Sequence, residues 1–205
     1  MTRSQIAIRV PCLPRHIGAA SLGVLLALAP LAALAQDSGD APSQPGDAAP
    51  ADTATAADAP RSLTAQLAGA EGQSFGTAML AETASGQIHL TLTLEGLPEG
   101  TRAIHIHETG SCEPPDFASA GGHLAGGHDH GAQAPGGMHA GDLPNITVGA
   151  DGSYQGEVLT SNLTMDQVMD EDGSALVIHA DADDYISQPA GNAGDRIACG
   201  VLTAQ

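Results

Sequence analysis

From residue 61 onward, the chain consists of short apolar runs separated by Gly, Pro, Asn and Asp. The clearest run covers residues 87–94, where Ile88, Leu90, Leu92 and Leu94 alternate with other residues and so share one face of a strand. Similar runs are LTAQLAG, FGTAMLAET, TRAIHIHE, NITVGADGSYQGEVL and SALVIHA. The 26 Gly, 13 Pro and absence of Trp argue against a helical bundle. The sequence therefore predicts an all-β domain over residues 61–205, built as a sandwich or barrel.

Three local signals stand out within this predicted domain. Asp151-Gly152 lies between two strand-like runs and is typical of a hairpin turn. Thr164 and Gln167 have the spacing of a capping box, which predicts one short helix. A Gly- and His-rich excursion at about residues 111–144 separates two strand runs, and a loop of that length is usually functional or disordered.

The first 35 residues have the features of a secretory signal peptide. Three Arg precede an apolar run at residues 18–35, which ends in the small-x-small cleavage signal Ala33-Leu34-Ala35. An uncleaved membrane anchor is the competing interpretation, but Pro30 shortens the continuous apolar stretch below the roughly 20 residues that a span needs. Residues 36–60 contain no Leu, Ile, Val or aromatic residue, so they predict a disordered tether.

Cleavage would change both the charge and the cysteine count. The chain has six Arg, no Lys and 24 acidic residues, and three of the Arg lie in the leader. The mature chain would thus carry a formal charge of −21, which disfavours nucleic acid and anionic membranes as partners. Cys112 and Cys199 would remain, and their pairing is the simple inference in an oxidising compartment.

The His residues point to metal chemistry. His105 and His107 flank Ile106 in a strand run, so both imidazoles project from one face toward a single ion; a plain polar face is the alternative. The excursion adds GGH, HDHG and HAGD, which could close a tetrahedral Zn²⁺ site; a soluble His-rich loop or loose metal buffer is the alternative. His179 ends the apolar run SALVI and is a further candidate, whereas His89 is interpreted as a surface residue.

Seven motifs occur in the order found in one family. They are HIHE at residues 105–108, Cys112, SAGGH ending at His123, HG at 130–131, HAGDLPNI at 139–146, LVIH ending at His179 and GNAGDRIACGV at 191–201. With them the chain resembles the copper,zinc superoxide dismutases of the bacterial secreted type, over nearly all of residues 63–203. The resemblance implies an eight-stranded Greek-key sandwich or flattened barrel with long metal-binding and active-site loops.

The resemblance also implies a role for each matching residue. Implied copper ligands are His105, His107, His179 and the bridging His123, and implied zinc ligands are His123, His130, His139 and Asp142. His130 is preferred to His128 because Gly131 follows it and nine residues separate it from His139. Asp183 matches the carboxylate that accepts hydrogen bonds from one His on each side, Arg196 matches the Arg that attracts the substrate, and Cys112 matches the disulfide partner of Cys199.

The implied activity is dismutation of superoxide to oxygen and hydrogen peroxide, with copper cycling between Cu²⁺ and Cu⁺ beside Zn²⁺. His123 would carry a proton and Arg196 would attract the superoxide anion. The expected location is the periplasm, with no membrane association after leader cleavage and with a homodimer left open. The alternatives are a dismutase-like metal-binding or copper-transfer module without turnover, and a structural β-domain with a metal-buffering loop.

Overall fold

The computed structural model describes residues 61–205, and these form an almost entirely β domain. The strands are β1 Ser62–Ala68, β2 Ser74–Glu82, β3 Ile88–Leu94, β4 Gly100–Arg102, β5 Ile104–His107, β6 Ile146–Val148, β7 Tyr154–Thr160, β8 Ala175–His179, β9 Arg196–Val201 and β10 Thr203–Ala204. A 3-10 turn at Ala118–Ala120 and one helical turn, α1 Met165–Val168, complete the elements of this part of the chain. The prediction of an all-β domain is confirmed.

One curled antiparallel sheet dominates the domain. Its strand order is β5-β8-β9-β1-β2-β3-β7, with β10 paired to β1, and β4 pairs β6 in a separate two-stranded sheet. Strands distant in sequence, β9 and β1, become neighbours at the middle of the sheet, which is the long-range connection of a Greek key. The long excursion between β5 and β6 forms isolated antiparallel bridges with the β5 edge of this sheet, through His123 and Asp142.

The core follows from the alternation in the strands. Ile88, Leu90, Leu92 and Leu94 of β3 are all at most 2% exposed and pack in the main apolar cluster. β8 is instead buried along its whole length. Leu176 and Ile178 enter the main core, while Val177 packs in a second cluster with Phe117 and Cys199, beneath the excursion. A strand covered on both faces explains the continuous apolar run before His179.

The capping box is confirmed, and the hairpin is only half right. Thr164 Oγ1 accepts a hydrogen bond from the Gln167 amide, and Gln167 Oε1 accepts one from the Thr164 amide. A tight turn closes around Asp151-Gly152, with the Gly149 amide donating to Ser153 O at 3.0 Å. The flanking strands nevertheless do not pair with each other, because β6 pairs with β4 and β7 with β3. The turn thus leads the chain from one sheet to the other.

A disulfide joins Cys112 to Cys199, as predicted, across 87 residues of sequence and a Cα–Cα distance of 5.7 Å. Cys112 lies in the excursion and Cys199 in β9, so the bond attaches the first part of the excursion to the sheet. The expectations for residues 1–60, a signal peptide and a tether, lie outside the described residues. Within residues 61–205, no helix has both the length and the apolar character to cross a bilayer.

Loss of this disulfide should strongly destabilise the β domain. Closing a loop of this length restricts the unfolded state by about 4 to 5 kcal/mol on the chain-entropy model. The Cys112→Ser/Cys199→Ser double variant should therefore lose about that much free energy of unfolding, measured by urea denaturation under oxidising conditions. Two free thiols in the denatured, unreduced wild-type protein would contradict the expectation.

Candidate metal centre

The β5 edge of the sheet brings four imidazoles together. His105 and His107 lie on β5 with Ile106 buried in the core between them. β5 pairs with β8, so His179 at the end of β8 comes beside the start of β5, where its amide donates to Ala103 O at 2.9 Å. The chain at His123 runs antiparallel to His107 on the excursion side. Two strands and one loop segment therefore position this set.

These four His form the first of two groups that could hold a metal ion. Each offers one ring nitrogen, and the four nitrogens lie within 4.8 Å of one another. All four side chains belong to residues that are less than 10% exposed. The rings of His105 and His123 are the closest pair, with centroids 3.9 Å apart.

The second group consists of His123, His130, His139 and Asp142. Asp142 Oδ1 lies at its centre, 3.0 Å from Nδ1 of both His123 and His130 and 3.4 Å from Nδ1 of His139. Its other oxygen accepts hydrogen bonds from the amides of Gly131 and His139. Three nitrogens and one oxygen in a buried cluster are a donor set suited to zinc.

The ring nitrogens of the first group fit a bound metal. One nitrogen of each of three rings is occupied: His105 Nε2 donates to Asp183 at 2.9 Å, His107 Nδ1 to Gly121 O at 3.1 Å and His179 Nδ1 to Gly194 O at 3.3 Å. The remaining nitrogens are buried without a hydrogen-bond partner, and they are His105 Nδ1, His107 Nε2, His179 Nε2 and His123 Nε2. A neutral ring that donates through one nitrogen has a lone pair on the other. Such lone pairs directed at one point are what copper requires.

The ring nitrogens of His130 show that the second group also fits a bound metal. Its Nε2 donates to Asp183 Oδ1 at 3.0 Å, which leaves a lone pair on Nδ1 in the neutral ring. In that tautomer the lone pair would face Asp142 Oδ1 at 3.0 Å, and two acceptors would oppose each other in a buried place. A cation between them would satisfy both.

Burial and hydrogen bonding keep His107, His179 and Asp142 in the protonation states that metals bind. It lowers the pKa of His107 to about 2 and that of His179 to about 3, so both rings are neutral at neutral pH. Burial by itself would raise the pKa of Asp142. The hydrogen bonds from His123 and the Gly131 amide outweigh it and lower that pKa, so the carboxylate is ionised. Neutral imidazole and ionised carboxylate are the metal-binding forms.

Asp183 links the two groups. One carboxylate oxygen accepts from His105 and the other from His130, and the residue is 3% exposed. Gly191 makes this arrangement possible, because its φ of +64° is a left-handed conformation and a Cβ there would lie 1.9 Å from Asp183 Oδ1. Asp183 therefore accepts a hydrogen bond from one His of each group.

Arg196 stands beside the first group. Its guanidinium donates to Phe117 O at 2.6 Å and to Gly121 O at 2.7 Å, and Gly121 O also accepts from His107. The other arginines of residues 61–205 are engaged elsewhere: Arg61 with Glu82 and Asp166, and Arg102 with backbone carbonyls including Glu99 O. Arg196 is therefore the cation that the described part of the chain places next to the His cluster.

The structure also separates the candidate His residues. His130 is fully buried in the second group, whereas His128 is exposed and belongs to neither group. His89 lies apart on the sheet, with Nε2 3.2 Å from Glu157. Sequence reasoning missed Asn145, whose side-chain amide holds the backbone of Asp183. It lies within the HAGDLPNI motif, but no spacing rule connects it with a residue 38 positions later.

Known proteins are similar to this chain in both sequence and fold. A family model described as copper/zinc superoxide dismutase matches residues 74–202. A Cu-Zn superoxide dismutase of Aquifex aeolicus is 47% identical over 145 residues, covering 67% of this chain and 84% of its own. A Cu-Zn superoxide dismutase of Caulobacter vibrioides is 40% identical over 149 residues, covering 69% and 85%.

Solved structures agree with these relatives. The crystal structure of a superoxide dismutase-like protein from Bacillus subtilis superposes with a TM-score of 0.61 at 40% identity, covering 68% of this chain and 97% of that one. The matched family segment contains both His groups, Asp183 and Arg196. By its sequence, its fold and its paired His clusters, the chain belongs to the copper/zinc superoxide dismutase family.

Proposed function

We propose that this chain dismutes superoxide to oxygen and hydrogen peroxide, with copper in the first His group and zinc in the second. The observation that carries the proposal is the position of His123, which belongs to both groups. Its Nδ1 faces Asp142 in the second group, while its Nε2 is a buried, unpartnered nitrogen in the first. When bound, copper would supply one-electron redox chemistry, whereas zinc would be redox-inactive.

The chain's own residues supply charge and protons. Arg196 keeps its positive charge and is anchored through two carbonyl oxygens, so it offers a fixed cation to an anionic substrate. His123 Nε2 is the atom at which the chain can hold a proton for the peroxide product, because Nδ1 remains against Asp142. Asp183 keeps His105 and His130 in one orientation throughout.

A metal-binding or copper-transfer module without turnover is the alternative function. Such a module needs no cation aimed at a substrate and no ring shared between two sites. The anchored Arg196 and the shared His123 therefore favour the enzyme. A metal-buffering loop is disfavoured because seven of the eight ligand positions, counting His123 in each group, come from residues less than 8% exposed.

Metal analysis combined with superoxide decay tests this proposal. The purified mature chain, loaded with both metals, should contain copper and zinc in equal amounts and should accelerate superoxide decay in stopped-flow measurements. Removal of both metals should abolish the activity, and restoring copper and zinc should recover it. Stoichiometric metal without acceleration would identify the non-catalytic module instead.

We also propose that the enzyme acts in the periplasm after removal of residues 1–35. The basic region, apolar run and small-x-small signal support export and cleavage. Intact mass of the protein from a periplasmic fraction should correspond to a chain that begins at Gln36. A mass that still includes the leader, found in the membrane fraction, would establish the anchor interpretation. Sedimentation of the same sample would show whether two copies associate.

A further inference from the structure

The loop after β8 holds the excursion through one side-chain amide. Gln188 Oε1 accepts a hydrogen bond from the His130 amide at 3.0 Å, and Gln188 Nε2 donates to His130 O at 2.8 Å. One side chain thus satisfies both backbone polar groups of His130, as a neighbouring strand would. The two residues are 58 positions apart, so the contact exists only in the folded chain.

His130 has little other backbone support. Among residues 127–138, the backbone hydrogen bonds outside regular elements are local to the excursion, such as Ala134 N to Gly131 O and Gly137 N to Ala134 O. Several Gly in this stretch adopt positive φ, including Gly131 at 92° and Gly136 at 96°, which makes its backbone conformationally permissive. A ligand on such a segment needs support from elsewhere if its ring is to be held in place.

We propose that Gln188 is a positioning residue for the second metal group. Its two hydrogen bonds to the backbone of His130 orient the imidazole before any metal binds. In this orientation Nε2 contacts Asp183 and Nδ1 contacts Asp142. The inference rests on the proposed function only in taking zinc as the ion of this group. The two hydrogen bonds between Gln188 and the His130 backbone involve no metal.

A second amide completes the arrangement. Asn145 Oδ1 accepts from the Asp183 amide and Asn145 Nδ2 donates to Asp183 O, both at 2.9 Å. Both partners of the His130–Asp183 hydrogen bond therefore have their backbones held by a side-chain amide. The two amides thus hold the excursion against the loop after β8 at the His130–Asp183 hydrogen bond. Asp183 also accepts a hydrogen bond from His105, which belongs to the first group.

Because Gln188 makes one accepted and one donated hydrogen bond to His130, variants that remove one or both should have graded effects. Only an amide offers a donor and an acceptor side by side, so Gln188→Glu keeps the acceptor and loses the donor. Gln188→Met has similar length but offers neither a strong donor nor a strong acceptor. Gln133→Met is the matched control, because Gln133 is exposed in the same excursion and makes no side-chain hydrogen bond among the described residues.

Zinc affinity is the first readout. Metal-free mature chain should be titrated with Zn²⁺ alone against a competing chelator. We expect Gln188→Met to bind Zn²⁺ at least about 10-fold more weakly than wild type, Gln188→Glu to fall between them, and Gln133→Met to match wild type. Wild-type affinity in Gln188→Met would overturn the proposal.

Hydrogen exchange of the His130 amide is the second readout, and it needs no metal. In metal-free wild type this amide should be protected, because its acceptor is a part-buried side-chain oxygen. Protection should be lost in Gln188→Met while the amides of β3 remain protected, which shows that the fold is intact. If Gln188→Met does not fold, the zinc affinity of Gln188→Glu still decides the matter, because wild-type affinity in that variant would overturn the proposal. An unprotected His130 amide in folded wild type would overturn it as well. A wild-type chain that binds no zinc but protects this amide would instead contradict the proposed function.

Discussion

His179→Ala is expected to abolish superoxide dismutation while zinc remains bound. His179 belongs to the first group alone, where its Nε2 is one of four convergent nitrogens. Its other nitrogen donates to Gly194 O, so the variant leaves every side chain of the second group in place. Loss of a residue that hydrogen-bonds to a metal ligand typically lowers metal affinity or activity 10- to 100-fold. Loss of a ligand itself should therefore lower the rate by more than about 100-fold.

Asp142→Ala is the mirror-image variant for this prediction. Asp142 belongs to the second group alone and contacts all three of its His rings. The Asp142→Ala variant should lose most of its zinc and retain copper. His89→Ala, at a His outside both groups, should change neither metal content nor rate. Stopped-flow superoxide decay and metal analysis on the same samples decide the outcome, and full activity in His179→Ala would refute the copper assignment.

The rate of the wild-type enzyme should not fall steeply as salt is added, whereas Arg196→Glu should be slow at every ionic strength. Residues 36–205 carry three arginines against 24 acidic residues, so an approaching anion meets a repulsive background. Arg61 is paired with two carboxylates, and Arg102 donates to the carbonyls of Pro98 and Glu99. Arg196 donates to Gly121 O beside His107, so Arg196 and bound metals supply the local attraction. Salt shortens the Debye length to about 10 Å at 0.1 M and weakens the distant repulsion more than the attraction close to the first His group.

The expected magnitudes follow from this balance. Between low salt and about 0.1 M, the wild-type rate should stay nearly level or rise. Arg196→Glu should lower it by about 10-fold or more, since charge steering changes on-rates by 10- to 1000-fold. Arg61→Glu makes the same change of charge at a residue that contacts neither metal group, and its effect should be small. A steep fall with salt in the wild type would reveal steering cations that Arg196 does not account for.

The strands and their buried faces could be predicted from sequence because they depend on local periodicity. Alternation is enough to place Leu90 and Leu92 on one face, and capping-box spacing is enough to begin a helical turn after Thr164. The hairpin at Asp151-Gly152 shows where local reasoning ends. The turn forms, but strand pairing is a long-range choice, and β6 and β7 pair with strands of different sheets.

The site divides in the same way. Sequence alone determined that His105 and His107 share one strand face, and the family motifs named the remaining ligands. Only the tertiary structure decided that His130 enters the second group while His128 stays exposed, and that His123 turns a different nitrogen to each group. It alone brought Gln188 to the backbone of His130. The physical reason is that these contacts join segments up to 58 residues apart, whose distance is set by the pairing of strands in the sheet and not by any local pattern along the chain.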